Sequence, residues 1–464
     1  MVVMKFGGTS VANEEAISRT ISIVEGKLSE KPIVVVSALS KVTDLLYKIC
    51  DAASKKNRIE MLELSAQLRA RHLELCEKLL GEDSDVLSAA KSKVDSICNE
   101  LDTIVGAVCT LGELSERSKA LIISAGEYLS SNIICSAMNL RGIKTKLMNA
   151  RNMIVTGNDY MKAEPVLAEI EARVPAIVNE AFDGMDAVIT QGFVSATLGG
   201  EPTVLGRGGS DYTASLIGMA IDAERIEIWT DVDGVKTADP RSVRSTLTLD
   251  RLSFEEAAEM AHFGAKVLHP LTIEPAVKKN IPIKVLNSTN PEGKGTTILH
   301  SDMIEDGVKS VSFKENILII NIFSTKMIDV SGFVAKVFGI FSEKNVSIDL
   351  ISTSEANISV TVDASQDNID DVVKALSAFA KVELDYNKAQ VSVIGKNIGG
   401  NNCMLKEIFS PVSEHTVYMV SQGASYINVS LVVDKSALQE VVQSIHDLLF
   451  FQAQMYDYIR YNGY

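Results

Sequence analysis

Two glycine-rich segments carry the residue types best suited to holding an anion. In Lys5-Phe-Gly-Gly-Thr-Ser10, an apolar strand ends in a cation, two glycines and two hydroxyl residues that lead into a helical pattern over 11–28. Glycines let backbone N–H groups approach an anion closely, and a helix N-terminus adds a positive dipole. Lys5 beside that turn can neutralise phosphate charge, although the same residues also read as a tight turn with a surface lysine. In Gly206-Arg-Gly-Gly-Ser-Asp211, an apolar run at 202–205 leads into a helix over 212–222. Arg207 offers a planar fork that matches a carboxylate. Ser210 and Asp211 stand where a helix N-cap belongs. Neither segment is a G-x-x-x-x-G-K-[ST] phosphate loop, and Asp211 replaces the third glycine of a dinucleotide fingerprint.

Other candidates lie further along. Thr230-Asp-Val-Asp-Gly234 directly follows the strand at 226–230, where a ligand-contacting loop belongs, and it also reads as an Asp-Gly turn. In Phe263-Gly-Ala-Lys-Val-Leu-His-Pro270 we read Lys266 as a charge-bearing residue and His269 as structural. In Ser124-Ala-Gly-Glu-Tyr128 a helix begins, and Glu127 there suits either an ammonium ligand or the helix dipole. Ser37 and Thr43 follow the second strand and can add hydroxyl contacts.

The elements that position these residues are legible as alternating strands and helices over roughly the first 300 residues. Val2–Phe6, 33–37, Ala187–Gln191, 226–230 and 283–286 are short β-rich runs. Leu87, Ala90, Val94, Ile97, Leu101, Ile104 and Val108 recur at spacings of three and four, the stripe of a packed helix. Strand, helix, strand in repetition predicts an α/β fold, a mostly parallel open sheet with helices on both faces. Ligands of such sheets sit beyond the carboxyl ends of the strands, so the loops that follow the strands are the place to look for a site.

After Thr297 the texture changes. The turn-rich stretch Asn290-Pro-Glu-Gly-Lys-Gly295 precedes an internal repeat. Residues 345–363 overlay 416–434 without gaps at an offset of 71, with Val346/Val417, Ser354/Ser425, Asn357/Asn428, Ser359/Ser430 and Val362/Val433 identical. Each copy reads as a small α+β module of roughly 70 residues. The expected division is 1–300, 305–385 and 386–464.

Composition narrows the function classes. At 464 residues the chain holds about three domains. With 46% hydrophobic and 23% charged residues it is globular rather than disordered. A net charge of −15 argues against a general nucleic-acid binder, since phosphate backbones need a cationic face. No run of about 18 apolar residues stands out as a membrane helix. The N-terminus reads as a strand rather than a leader. Six dispersed cysteines without a C-x-x-C pair, and six histidines without H-E-x-x-H spacing, argue against zinc and disulfide frameworks and fit a reducing cytoplasm.

Taken together, KFGGTS at 5–10, GRGGSD at 206–211, TDVDG at 230–234 and FGAKVLHP at 263–270 resemble, in order and spacing, the signature set of the aspartate kinase family. The two C-terminal copies resemble its paired ferredoxin-like ACT domains. The resemblance covers essentially the whole chain, and the homoserine dehydrogenase half of bifunctional relatives is not expected after Tyr464.

The resemblance implies transfer of the ATP γ-phosphoryl group to the side-chain carboxylate of L-aspartate, giving 4-phospho-L-aspartate, the entry to lysine, threonine and methionine synthesis. It assigns catalysis to Lys5 and Lys266, with Asp211 orienting both. ATP would meet the N–H groups of Gly7, Gly8, Gly208 and Gly209, together with Ser210, Thr230, Asp231, Lys236 and Arg241. Mg²⁺ would ride on ATP oxygens, with no dedicated protein site. Arg207 would clamp the α-carboxylate of aspartate and Glu127 its ammonium, with Ser37 and Thr43 helping. The sequence departs from the family at Lys236, where many relatives have Tyr, which removes a packing surface for the nucleotide.

The resemblance further implies an amino-acid effector, lysine first and threonine second, at the first module. Asp349 would accept its ammonium. Met327, Val334, Thr353, Ser354 and Glu355 would line the site, and N–H groups near Gly332 and Phe333 would take the carboxylate. The second copy has Val420 and Cys403 at the positions of Asp349 and Gly332, so it is expected to be structural. Pairing of modules between chains would make a homodimer or homotetramer.

Overall fold

Runs of Val and Ile without polar alternation ask for strands covered on both faces. In the computed structural model, which describes residues 1–81, 85–263, 270–324, 332–423 and 426–452, β1 (Val2–Phe6), β2 (Pro32–Val36) and β5 (Ala187–Gln191) are buried at every position. The chain divides into two units. The first comprises Met1–Val235, Asp250–Phe254 and Val267–Asp302, and the second comprises Lys236–Leu249, Glu255–Lys266 and Met303–Tyr464.

The first unit is built on an eight-stranded sheet. Its order is β3 (Thr145–Met148), β5, β2, β1, β8 (Arg225–Thr230), β10 (Ile283–Asn287), β11 (Thr296–Leu299) and β9 (Arg251–Ser253). Every neighbouring pair is parallel except β10 with β11. The register aligns the carboxyl ends: Phe6 stands beside Val36 and Trp229, and Thr230 beside Asn287. The loops after β1, β2, β8 and β10 therefore open on one edge. A small second sheet of β4 (Val155–Thr156), β6 (Val194–Thr197) and β7 (Pro202–Val204) carries the chain toward Gly206.

The helical stripe of Asp85–Leu111 is buried as its spacing predicts, with its centre shifted: Cys98 and Val105 are buried where Ile97 and Ile104 only pack at the margin. The facing helix, Arg58–Leu80, holds His72 fully buried. A carbonyl can only accept, so the Nδ1–H of His72 donates to Leu68 O at 2.7 Å, and burial pushes the ring down to about 4. The unfolded ring, with its ordinary value near 6.5, takes a proton that the folded ring refuses. Stability from this group is therefore whole above about pH 6.5 and falls toward pH 4, by up to about 3 kcal/mol. Thermal melts at pH 7 and pH 5 should show the loss, and His72→Gln should flatten it.

One stretch of the described residues, Glu116–Leu140, is long and apolar enough by composition to cross a membrane, contrary to the expectation from sequence. It is the pair of helices Glu116–Ile123 and Ala125–Leu140, with 72% of its apolar window buried inside the protein, and it packs as core. All six cysteines are free.

The second unit contains a six-stranded antiparallel sheet. Its order is β13 (Ile351–Thr353), β14 (Asn357–Asp363), β12 (Gly307–Phe323), β15 (Lys381–Lys396), β17 (Asn428–Asp434) and β16 (Met419–Gln422). The repeat appears here as β14 and β17, seven residues each and 71 positions apart at both ends. The two copies share this sheet, because β12 and β15 pair along nearly their whole lengths, with register shifts around 314–319. Leu318, Ile320 and Ile322 of β12 pack in the core of the first copy, while Val311 packs in that of the second. The architecture is thus the expected mostly parallel α/β sheet followed by α+β modules.

Candidate active site

β1 delivers Lys5 to the open edge of the parallel sheet. The strand alternates its side chains, and Lys5 falls on the face opposite Met4 and Phe6. Its Nζ lies 2.7 Å from Asp211 Oδ1, an ion pair whose angles fall outside those of a hydrogen bond, with the two side chains 11% and 17% exposed. Asp211 is not the helix cap that the sequence suggested. The cap of helix Gly209–Ala220 is Gly208, at φ 71°, a left-handed conformation that favours glycine. This earlier start turns Asp211 onto the first helical turn, where it faces Lys5.

The turn after β1 also differs from expectation. Its helix starts at Glu14, capped by the Asn13 side chain, rather than at Val11. The chain at 7–13 is an open loop. Gly7 N–H donates to Trp229 O at 3.1 Å and is spent within the fold. Gly8 N–H has no protein acceptor among the described residues, and a Cβ on Gly8 would stand 3.1 Å from Ala38 O. Ser10 is buried and donates to Ser288 Oγ at 2.8 Å, tying this loop to the one after β10. Gly209 N–H likewise goes to Gly206 O. Of the four glycine N–H groups expected to meet phosphate, those of Gly7 and Gly209 are committed elsewhere.

Ser37 closes the gap between the loops. Its Oγ donates to Ser210 Oγ at 2.9 Å, and its carbonyl accepts from Ser130 Oγ at 2.8 Å. Gly192 makes room for Ser210, since a Cβ there would lie 2.6 Å from it. Helix Ala125–Leu140 approaches β2 just as closely: a Cβ on Gly126 would stand 2.8 Å from that of Ala38. This contact places Glu127 on Ala38, whose N–H donates to Glu127 Oε1 at 3.2 Å. The carboxyl is 3% exposed, and its Oε2 has no partner among the described residues. Burial pushes Glu127 up to about 8, partly opposed by the Ala38 N–H. Glu127 is therefore a buried acceptor with one oxygen unused, not merely a dipole partner. Thr43 is half-buried in the first turn of helix Val42–Ser54.

Arg207 is exposed and makes no ion pair among the described residues, which leaves its fork free for a ligand. Thr230 Oγ1 donates to Asp231 Oδ1 at 3.2 Å at the end of β8. Lys236 and Arg241 fall in the second unit. Lys236 Nζ donates to Thr248 Oγ1 at 2.7 Å, and Arg241 forks onto Asp239 at 2.6–3.2 Å. Lys266, His269 and Met327 lie outside the described residues. Sequence reasoning missed Arg71, which donates to Ser40 O at 2.9 Å and Ala12 O at 3.3 Å and so ties the loops after β1 and β2 together. It stands mid-helix among other charges, and nothing in its spacing sets it apart.

A buried lysine–aspartate pair at the mouth of a parallel sheet, beside a buried carboxyl awaiting a cation, suits an anionic phosphate next to an amino acid. Comparison with known proteins decides the family. The amino acid kinase family matches residues 1–287, and the ACT domain matches 320–378 and again 391–449. Lysine-sensitive aspartokinase 3 of Escherichia coli is 32% identical over 97% of this chain and 99% of its own length. The chain belongs to the aspartokinase family. Chloroplastic aspartokinase 1 of Arabidopsis thaliana is 34% identical over 97% of this chain and 80% of its own length. Among solved structures, E. coli aspartokinase III in complex with aspartate and ADP superposes with a TM-score of 0.82, at 32% identity over 97% of this chain and all of that one. The same enzyme in complex with lysine and aspartate gives 0.80, over 97% and 99%. As an aspartokinase this chain is a kinase, and both its sheet and its paired ACT domains have counterparts in that enzyme.

In the first ACT copy, Gly332 at φ 93° caps helix Phe333–Glu343. Phe333 is buried edge-on against Phe379, and Val334 is exposed. Thr353, Ser354 and Glu355 are exposed, and Ser354 Oγ bonds Asn357 Oδ1. Asp349 is nearly buried and ion-paired with Lys314 at 2.7 Å. In the second copy, Val420 and Cys403 are exposed.

Proposed function

We propose that this aspartokinase transfers the γ-phosphoryl group of ATP to the side-chain carboxylate of L-aspartate, releasing ADP and 4-phospho-L-aspartate. The observation that carries the reading is Lys5, buried and held by Asp211 at the edge where Glu127 waits with a free oxygen. An aspartate carboxylate, with an ordinary pKa near 3.9, is already ionised at neutral pH, so the nucleophile needs no general base. Catalysis is then positioning and stabilisation of charge on the transferred group. Lys5 and Lys266 supply that charge, and Asp211 keeps Lys5 aimed. Gly8 and Gly208 border the phosphates, and Ser210, Thr230, Asp231, Lys236 and Arg241 complete the nucleotide contacts. Mg²⁺ would ride mainly on nucleotide oxygens, where it would neutralise phosphate charge.

Glu127 accepts the α-ammonium of aspartate, Arg207 its α-carboxylate, and Ser37 and Thr43 add hydroxyl contacts. Removing a fork that meets only the amino acid should affect that substrate alone. Arg207→Ala should raise the KM for aspartate by about tenfold or more, the scale of a charge-assisted bond, with little change for ATP. Equal changes in both constants would remove this role.

We assign phosphotransfer to 1–300 and sensing to 305–464, where the first copy (305–385) supplies the ligand contacts. Lysine is the effector, with threonine second, by likeness to the lysine-bound relative. Inhibition is a two-state bias of about 1–3 kcal/mol, the usual size of such coupling. Edge strands β13 and β16, with Ile351 and Val420 exposed, favour pairing of modules between chains as a homodimer or homotetramer. The free cysteines suit the cytoplasm, and the reaction opens lysine, threonine and methionine synthesis. The test is ADP release with a panel of acidic amino acids, with and without lysine or threonine. Turnover confined to aspartate and suppressed by lysine is expected, and equal turnover of glutamate would overturn the substrate assignment.

A further inference from the structure

Asp349, the acceptor assigned above to the effector ammonium, already holds an ammonium of the chain itself. Lys314 Nζ lies 2.7 Å from its Oδ1, with the two side chains 24% and 11% exposed. We propose that Lys314 is a built-in competitor at the effector site, which an incoming amino acid must displace from Asp349 in order to bind. The inference rests on the effector reading given above.

Three observations support displacement. First, Lys314 sits where the β12–β15 register shifts, between Lys314 and Ile317, and such a shift re-aims a side chain out of the ladder. Second, one oxygen carries the whole contact. His262 Nε2, 3.8 Å from the same oxygen, is the only other cation-forming group paired with Asp349 among the described residues. Burial and the Lys314 charge both hold that ring toward its neutral form. A second ammonium on this carboxylate would face Lys314 as a like charge in a poorly solvated site, which opposes joint occupancy and sets the two in competition. Third, the adjoining copy shows how a permanent internal ammonium is held. Lys388 pairs with Asp385 at 2.8 Å and Asp434 at 2.9 Å and lies 4.0 Å from the Tyr418 ring centroid. Two carboxylates and an aromatic face at 4.0 Å fix Lys388, whereas one carboxylate and a more distant ring, Phe263 at 5.5 Å, hold Lys314.

The departure of Lys314 also changes what Phe263 meets. The ammonium stands 5.5 Å from the centroid of that ring, three positions before Lys266. Effector occupancy at Asp349 is thus registered at the residue that opens the Phe263-Gly-Ala-Lys266 segment.

Titration calorimetry with L-lysine as the probe on the full chain tests the inference. Lys314→Met should bind lysine about tenfold more tightly, within the usual range of coupling between sites. Lys314→Arg, which keeps the cation, should bind like the parent, and Asp349→Asn should lose binding. Lys314→Gln should shift as Lys314→Met does, so a folding defect in one leaves the other to decide. Unchanged or weaker binding in the neutral variants, with binding still lost in Asp349→Asn, would overturn the competitor alone. Absence of lysine binding in every protein, with kinase turnover intact in the parent, would overturn the effector reading with it.

Discussion

Lys5→Ala should lower kcat by about 10²-fold or more, the loss seen when one preorganised charge-stabilising group is removed from a reacting oxyanion. The group is preorganised here in the physical sense. Its backbone is pinned on both sides in a parallel ladder, beside Val35 and Ile228. Its ammonium is aimed by Asp211 at 2.7 Å and is nearly excluded from water. Charge stabilisation is strongest in such a site because little solvent screens it. Truncation leaves Asp211 without its cation, so some stability is lost as well, and a melting curve separates that from the chemical effect. Asp211→Asn keeps the lysine while loosening its aim, and its kcat should fall between those of the parent and Lys5→Ala. Steady-state ADP release measures both variants, and near-normal turnover in Lys5→Ala would refute a catalytic lysine.

The pH dependence of aspartate binding should be steep, and Glu127 should be its source. With the carboxyl pushed up to about 8 by burial, the empty site holds it mostly neutral at pH 7. An ammonium pairs with the ionised form, so aspartate binding releases a proton. Apparent affinity should therefore rise by about tenfold per pH unit up to about 8 and level off above it. The stability effect has the opposite sign to that of His72. A carboxyl whose folded pKa exceeds its unfolded one of 4.5 favours folding fully below pH 4.5, and this contribution is lost as pH climbs to 8. Glu127→Gln mimics the neutral state. It should keep the fold, abolish the pH slope, and raise the KM for aspartate by about 10²-fold, as removal of one partner from a desolvated ion pair does. KM profiles between pH 6 and 9, with proton release read by calorimetry in two buffers, check this. An unchanged KM in Glu127→Gln would sink the assignment.

Much of this was legible from the sequence, and the failures have physical causes. β1 and β5 were readable because each opens with three apolar residues in a row, Val-Val-Met and Ala-Val-Ile, as strands buried on both faces do. The 71-residue repeat was readable because both copies bury the same pattern in one sheet. The helix boundaries were misread because capping depends on local torsion. Asn13 caps a first helix that starts at Glu14 rather than Val11, and the left-handed Gly208 takes the cap expected of Asp211. Hidden for a different reason were Arg71, Ser288 and Lys314, whose partners lie between 31 and 278 positions away and follow no period. The glycine N–H groups of Gly7 and Gly209 illustrate a third limit, since composition names a donor without saying what has already claimed it.

The long strands β12 and β15 carry one further consequence. Each runs without a break from one ACT copy into the other, so neither copy owns a complete set of strands. Severing the chain between 385 and 386 would cut through β15 and leave two fragments with torn ladders rather than two small domains. The two ACT copies should therefore melt in one cooperative transition, because neither can lose its strands without tearing the ladder of the other.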